Sequence, residues 1–146
     1  MTASDAIREG DVLREVVRTP DAVDLFQFSA AIWLTHRIHY DSPYTTEVEN
    51  HPAMPVQGPL QAVYLAQLVR RDLERRRPSC LVQVRRYRFR HTAPAYVDQT
   101  LRCQGTVTEV DGDRVTCEVW AEVDGRQTTV GQVEVVLREN GSGTAG

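Results

Sequence analysis

The segment from Leu60 to about Arg75 constrains the fold more than any other, because its apolar residues cover most of the circumference of a helix. They are Leu60, Val63, Tyr64, Leu65, Leu68, Val69 and Leu73. A helix that is apolar on nearly every side is expected to lie inside a protein rather than on its surface. Gly58-Pro59 before the segment and Pro78 after it are typical helix boundaries. The rest of the chain must therefore surround one long buried helix.

The second half of the chain alternates apolar and polar residues with a period of two, which is typical of strands with one buried face. Asp111-Gly112 and Asp124-Gly125 are hairpin-turn signals, and Pro94 separates two further runs. Four strands are predicted: Val82–Arg90, Tyr96–Val110, Val115–Val123 and Val133–Leu137. Consecutive hairpins form an antiparallel sheet, and the economical packing is a sheet that curls around the helix. We therefore predict an α+β fold.

The first half is predicted to be mainly helix and loop. Thr19-Pro20-Asp21 is a helix-start signal in which the threonine caps, the proline takes the first helical position and the aspartate complements the dipole. That helix is expected to run from Ala22 to about Trp33. A loop over residues 35–41 follows, which Ser42-Pro43 is expected to close as a turn. Prolines at 52 and 55 predict an extended course from His51 to Gln57.

The length of 146 residues suits a single domain, which we predict over residues 1–139. Residues 140–146, with the sequence NGSGTAG, are expected to form a disordered tail. A curled sheet of this kind leaves an edge strand exposed. We therefore expect a dimer that covers the edge or joins the two sheets.

The composition excludes several function classes. The formal net charge of −3 gives no general attraction to nucleic acid or to an anionic membrane. No apolar run reaches the roughly 18 residues of a membrane span, and the polar, acidic N-terminus lacks the features of a signal peptide. The cysteines Cys80, Cys103 and Cys117 form no C-x-x-C pair, and the last two fall in strand patterns that suit small core residues. We expect a reduced, cytoplasmic protein.

The stretch THRIHYD, residues 35–41, places His36 and His39 three residues apart in a chain with four histidines. Two imidazoles in a short polar segment are compatible with a proton-transfer site, half of a metal site or an ordinary structural loop. A metal site is disfavoured, because a spacing of three on irregular backbone does not fix ligand geometry and no third ligand accompanies the pair. The residues alone leave the other two possibilities open.

Two longer stretches, LFQFSAAIWLTHRIHYDSPY at 25–44 and PVQGPLQAVYLAQLVRR at 55–71, resemble the MaoC-like dehydratases. The similarity is greatest to the subgroup with 3-hydroxyacyl-thioester dehydratases and mesaconyl- or itaconyl-CoA-type hydratases, and it extends from about Thr19 to Arg71. The resemblance implies the hot-dog fold. It also implies reversible addition of water to the α,β-double bond of an acyl thioester, carried on coenzyme A or an acyl carrier protein, with no metal or redox cofactor.

The resemblance also implies roles for individual residues. His39 matches the motif histidine that acts as acid or base, and Gly58 matches the glycine whose backbone N–H binds the thioester oxygen. Elementary physics supports the second role, because a helix N-terminus has free N–H groups and a partial positive charge. Gln57 is expected to supply a polar contact beside them.

The chain departs from the family at two of these positions. Leu34 stands five residues before His39, where relatives have an Asp or Asn that pairs with the histidine, and Gln57 stands where relatives usually have a His. Ordinary hydration therefore lacks its second polar group, unless His36, Tyr40, Asp41 or Gln57 replaces it. We expect a variant tailoring dehydratase or isomerase, in which His36, Tyr40, Asp41 and Leu34 line the substrate site.

Three possibilities remain beside this reading. Arg86 and Arg88 lie on one face of the predicted strand, where they would hold the phosphates of coenzyme A or form a solvated surface. Thioester hydrolysis would need a carboxylate near the central helix, for which Asp41, Glu47 and Glu49 are the candidates. The last possibility is a catalytically silent subunit that pairs with an active homologue.

A homodimer is expected first, and a heterodimer is the alternative.

Overall fold

The predicted central helix is present in the computed structural model, which describes residues 6–141. It is α2, Gly58–Arg76, and its buried residues include Leu65, Leu68, Val69 and Leu73. The other elements, in chain order, are β1 (Val16–Arg18), α1 (Ala22–Ala31), β2 (Cys80–His91), β3 (Leu101–Asp111), β4 (Arg114–Val123) and β5 (Arg126–Glu139). A 3₁₀ turn at Arg37–His39 and a π-helical turn at Tyr44–Val48 lie between the two α-helices.

The strands form one antiparallel sheet in the order β1-β3-β4-β5-β2. Both predicted hairpins are confirmed, and Asp124 and Gly125 have the positive φ angles, 50° and 78°, that a tight two-residue turn requires. Register shifts between Val84 and Arg86 and between Val107 and Glu109 mark bulges that bend the sheet. α2 lies against the sheet, as predicted for a hot-dog fold.

The core lies between α2 and the sheet. Cys103 and Cys117 are fully buried there, and burial raises the pKa of each thiol to about 12. The prediction that they behave as core residues is confirmed. The prediction of a helix buried on every side is wrong at Val63, whose side chain is exposed, because the sheet of one chain covers only part of the circumference of α2. β2 is an outer strand of the sheet.

Three local predictions need correction. Asp21, not Thr19, caps α1, because Asp21 and Asp24 each accept the other's backbone N–H, whereas the Thr19 hydroxyl bonds that of Thr100. α1 ends at Ala31, because Trp33 has a positive φ of 55° that no α-helix accommodates. Ser42 and Pro43 begin the next helical turn instead of closing the loop.

The segment from His51 to Gln57 is extended as predicted, and Val56 N–H donates to the Ala95 carbonyl. β3 begins at Leu101 rather than at Tyr96, because the chain turns at Asp98, where φ is 65°. Most of the predicted tail, 142–146, lies outside the described residues, whereas Asn140 N–H donates to the Ser79 carbonyl. Within residues 6–141, no helix is long and apolar enough to cross a membrane.

Candidate active site

The loop that carries His39 is held by hydrogen bonds within itself. The buried Thr45 hydroxyl lies 3.0 Å from the Ile38 carbonyl and 2.7 Å from the Asp41 carbonyl. The Asp41 carboxylate accepts from the Tyr44 N–H at 3.1 Å and pairs with Arg37 at 2.7 Å. Hydrogen bonds from Arg37 and from the Tyr44 N–H hold the pKa of the Asp41 carboxyl below its ordinary value. Asp41 therefore stabilises the loop, and a contact between Asp41 and substrate stays a prediction.

His39 is half-buried and has a fixed orientation. Its Nδ1 lies 2.7 Å from the Pro55 carbonyl oxygen, in the segment that leads into α2. A carbonyl only accepts, so Nδ1 carries the proton and the lone pair of the neutral ring is on Nε2. Burial lowers the pKa of His39, the Pro55 carbonyl opposes this, and His36 and His51 lower the pKa further. The ring is therefore suited to accept a proton at neutral pH.

The amino end of α2 is left open by the protein's own side chains. Gln57 is the N-cap residue, and within residues 6–141 no side chain makes a capping hydrogen bond there. Gln57 is completely buried, and its Nε2 donates to the Leu25 carbonyl at 2.6 Å and to the Ser29 hydroxyl at 2.9 Å. Its Oε1 is buried without a hydrogen-bond partner. A buried acceptor without a partner marks a place where a water or ligand hydroxyl would be stabilised.

His91 is a site residue that the sequence reading missed. It ends β2, and its imidazole occupies the space that a side chain at Gly58 would need. An open groove of about 380 Å³ is lined by both residues and by Val56, Gln61, Thr92, Ala93 and Pro94. The alternation along β2 could have predicted its position. Tyr87 and Phe89 both pack against the core, and His91 is the next residue on the same face of the strand.

Leu34 and Tyr40 lie together in a different environment. They line an apolar pocket of about 160 Å³ with Phe26, Ser29, Ala30, Trp33 and Thr35. The Tyr40 hydroxyl donates to the Thr35 carbonyl at 2.8 Å, and its ring meets Phe26 edge-on. Ser29 also accepts from Gln57, so this pocket and the amino end of α2 share a wall. Leu34 therefore contributes apolar surface and gives His39 no polar partner.

The remaining predicted residues lie at the edge of the site or outside it. His36 caps the 3₁₀ turn through its Nδ1, which accepts from the Ile38 N–H at 3.4 Å, and its ring centroid is 6.1 Å from that of His39. Arg86 and Arg88 are exposed and point away from the core-facing side of β2, so the structure does not bring them together with His39. Their contact with coenzyme A phosphates stays a prediction. Residues 6–141 contain no cluster of three or more potential metal ligands.

The sequence matches the model of the hydroxyacyl-thioester dehydratase type 2 family over residues 3–97, which include His39, Gln57, Gly58 and His91. A model of the fluoroacetyl-CoA-specific thioesterases matches residues 67–139, which contain strands β2 to β5 but not the His39 loop. The chain is 36% identical over 107 residues to mesaconyl-C(4)-CoA hydratase of Chloroflexus aurantiacus, covering 73% of this chain and 34% of the relative.

The chain is also 31% identical over 104 residues to the mitochondrial hydroxyacyl-thioester dehydratase type 2 of Schizosaccharomyces pombe, covering 70% of this chain and 33% of the relative. The chain thus spans about a third of the length of these curated relatives. The (R)-hydratase of A. caviae involved in PHA biosynthesis has the same fold, with a TM-score of 0.79 at 15% identity over 90% of this chain and 97% of that one. The match over residues 3–97 and the shared fold show that the chain belongs to the hydroxyacyl-thioester dehydratase type 2 family.

Proposed function

We propose that the protein is a hydro-lyase that adds water to, or removes it from, the α,β-double bond of an acyl thioester on coenzyme A or an acyl carrier protein. The orientation of His39 carries this proposal, because its Nδ1–H is committed to the Pro55 carbonyl and Nε2 is left free to move a proton. The uncapped amino end of α2 begins three residues later, at Gly58. The names of the two relatives, a hydratase and a dehydratase, support the same reaction class.

In the dehydration direction, His39 Nε2 removes the α-proton and the C–H electron pair forms an enolate. The Gly58 N–H stabilises the charge that develops on the thioester oxygen. The imidazolium of His39 then returns the proton to the β-hydroxyl, which leaves as water while the double bond forms. Gln57 Oε1, which lacks a partner, accepts a hydrogen bond from that hydroxyl. Atoms and charge balance with a single histidine.

Leu34 determines which variant of this reaction the site favours. Without an Asp or Asn at this position, one imidazole must carry both proton transfers, which favours substrates with an acidic α-proton or a good leaving group. Migration of the double bond passes through the same enolate and needs the same groups. A tailoring dehydratase or isomerase is therefore the more specific form of the proposal.

We propose a single domain that works as a dimer. β2 is an outer strand with unpaired backbone groups along one side, and exposed strand edges are usually covered in native proteins. Val63 on α2 and Leu81 and Val84 on β2 are exposed apolar residues that a second subunit would bury. A homodimer is the first expectation and a heterodimer with a homologue the second. Three buried thiols suit the reducing cytoplasm, which we propose as its location.

The test is to incubate the purified protein with crotonyl-CoA or mesaconyl-CoA and follow the absorbance of the enoyl thioester. His39→Ala is the key variant, and His51→Ala is the matched control, because His51 is a nearby histidine that is not proposed to transfer a proton or contact the thioester. Turnover that is lost only in His39→Ala supports the lyase. Absence of turnover in the wild type contradicts the proposal and favours a silent subunit.

Thioester hydrolysis is a second candidate, favoured by the match of residues 67–139 to fluoroacetyl-CoA-specific thioesterases. Among its candidate carboxylates, Glu49 accepts from the Tyr44 hydroxyl at 2.6 Å and Glu47 is exposed. The same incubations distinguish the two reactions. Hydrolysis releases a free thiol that a thiol-reactive dye detects, whereas hydration leaves the thioester intact.

A further inference from the structure

The imidazole of His91 lies so close to Gly58 that a side chain at this position would require the ring to move. A Cβ added at position 58 would lie 2.7 Å from Cε1 and 2.8 Å from Cδ2 of the His91 ring, and Nε2 would be nearer still. Real side chains do not approach so closely. The ring therefore lies across the first residue of α2, and Nε2 is the ring atom nearest to Gly58.

This position places the ring beside the free N–H groups of α2. The Cα–Cβ bonds of a helix tilt toward its N-terminus, the end at which the first N–H groups are exposed. The ring occupies the place of the missing Cβ, so an oxygen bound by the Gly58 N–H would lie next to His91 Nε2. Both residues line the same open groove, which gives such a ligand access.

A buried hydrogen-bond chain fixes the orientation of the ring. Thr129 donates its hydroxyl proton to Gln61 Oε1 at 2.8 Å and therefore accepts from His91 Nδ1–H at 2.9 Å. Thr128 donates to the same oxygen at 2.8 Å, and Gln61, Thr128 and Thr129 are all buried. This chain occupies Nδ1 and so leaves Nε2 as the ring nitrogen available at the groove. Packing alone would not require a specified nitrogen there.

Resting on the lyase function proposed above, we propose that His91 is a second catalytic residue, which contacts the thioester oxygen beside the Gly58 N–H. His39 takes the α-proton, and the electron pair moves through the new C–C double bond onto the carbonyl oxygen. The imidazolium of His91 donates Nε2–H to that oxygen as it becomes negative and keeps its proton. His39 returns its proton to the departing hydroxyl, so His91 ends each turnover unchanged.

Three segments of the chain present groups to the His91 ring. α2 presents Gly58 and Gln61 to it, β5 presents Thr128 and Thr129, and residues 92–94 are Thr, Ala and Pro, so none of these groups is charged. Arg126 is the charged group that the described contacts place at the groove, where it donates to the Pro94 carbonyl at 3.1 Å. Hydrogen bonds to neutral groups therefore hold the ring in place.

The experiment compares kcat over a wide pH range for the wild type, His91→Ala, His91→Gln and the control His51→Ala, after circular dichroism has shown that each is folded. We expect His91→Ala to lower kcat about 10²–10³-fold, the usual effect of losing one donor to an oxyanion. The amide of Gln can also donate a hydrogen bond, so His91→Gln should recover part of the rate. A kcat and pH profile of His91→Ala that match the wild type, a change in KM alone, or a faster enzyme would overturn the inference.

A second measurement separates this inference from the lyase proposal. The ¹⁵N resonance of His91 Nε2 is followed while the unreactive thioester butyryl-CoA is added to the wild type and to His39→Ala. A shift in both proteins supports contact with the thioester, even if the wild type turns over no substrate and the lyase proposal fails. No shift at saturating butyryl-CoA would overturn the inference, whatever the activity.

Discussion

The two ends of α2 differ in whether their buried polar groups have hydrogen-bond partners. At the carboxyl end, Asp72 is buried, accepts from the Arg14 N–H at 3.0 Å, and pairs with Arg75 at 2.9 Å and Arg76 at 2.7 Å. At the amino end, Gln57 Oε1 is buried without a partner and no side chain caps the helix. A satisfied network stabilises the fold, whereas an open one leaves hydrogen-bonding capacity for a ligand.

The pKa shifts at the two ends follow the same contrast. Burial alone would raise the pKa of the Asp72 carboxyl, but the Arg14 N–H and the guanidinium groups of Arg75 and Arg76 together hold it below its ordinary value. Burial lowers the pKa of His39, and the Pro55 carbonyl offsets this only in part. Asp72 is thus kept charged by its partners, whereas His39 is kept neutral and able to take a proton.

The largest expected effect comes from a substitution beside the amino end of α2, where hydrogen-bonding groups are left open. His39→Ala should lower kcat about 10²–10⁴-fold, because it removes the group that moves the proton. The free energy of unfolding should change little, because His39 is only half-buried. Steady-state kinetics and urea unfolding of the same preparation check both parts. A large loss of stability would show that His39 is a structural residue.

The next largest effect comes from a substitution at the carboxyl end of α2, where the buried polar groups are paired. Asp72→Asn should lower the free energy of unfolding by about 1.5–3 kcal/mol, because the largely buried Arg76 loses one of its two carboxylate partners and keeps only Asp11. Arg75→Ala is the matched control and should cost less than about 1 kcal/mol, because Arg75 is half-exposed. The kcat of the folded Asp72→Asn protein should remain near that of the wild type. A fall in kcat as large as that of His39→Ala would contradict the separation of the two ends.

The pH dependence of this stability follows from the sign of the shift. Because the folded-state pKa of Asp72 is lowered from 3.8, its contribution is complete above that value and is lost as the pH falls through the lowered pKa. The stability difference between the wild type and Asp72→Asn should therefore shrink at low pH. Urea unfolding at a series of pH values measures it, and a difference that does not change with pH would refute the assignment.

A smaller effect is expected from a substitution at Gly58, the first residue of α2. Gly58→Ala should destabilise the protein by about 1–3 kcal/mol, because its Cβ would overlap the His91 ring. The same substitution in a His91→Ala background should cost less, because the ring is absent. Thermal unfolding of the two single variants and the double variant gives the coupling. Equal costs in both backgrounds would show that the ring does not lie over Gly58 in solution.

The smallest effect concerns the acid limb of kcat/KM. If His39 is the base, as proposed, its pKa, which is lowered from 6.5, means that activity should persist below that pH and fall only as His39 becomes protonated. His51→Ala removes one positive neighbour and should shift the limb slightly to higher pH. A pH profile of kcat/KM tests both statements. An acid limb above pH 6.5 in the wild type would be inconsistent with a buried base.

The sequence was sufficient for features that depend on local pattern. The apolar circumference of α2, the period of two and the Asp-Gly turns predicted the helix and four strands, and the family motif suggested His39, Gln57 and Gly58 as site residues, which stays a prediction. The N-cap of α1 shows where local pattern fails. Thr19 and Asp21 are both good capping residues, and the Thr19 hydroxyl is instead hydrogen-bonded with that of Thr100, which is 81 positions away.

The missed features depend on contacts between distant parts of the chain. Alternation along β2 places His91 on the inner face, but only the assembled sheet brings its ring across Gly58. Asp72 reads from sequence as part of the polar end of α2, and it is buried because the backbone of Arg14, 58 positions earlier, supplies one of its hydrogen bonds. Contacts between residues far apart in the sequence are therefore the part of this structure that a single sequence conceals.

The transfer of a proton to the α-carbon by His39 is most directly tested by hydrating crotonyl-CoA in D₂O and examining the product by NMR. The wild type should form 3-hydroxybutyryl-CoA with one deuterium on the α-carbon, and His39→Ala should form it far more slowly. Release of free coenzyme A without deuterium on the α-carbon would contradict the account, as would equal rates of labelling in the two proteins.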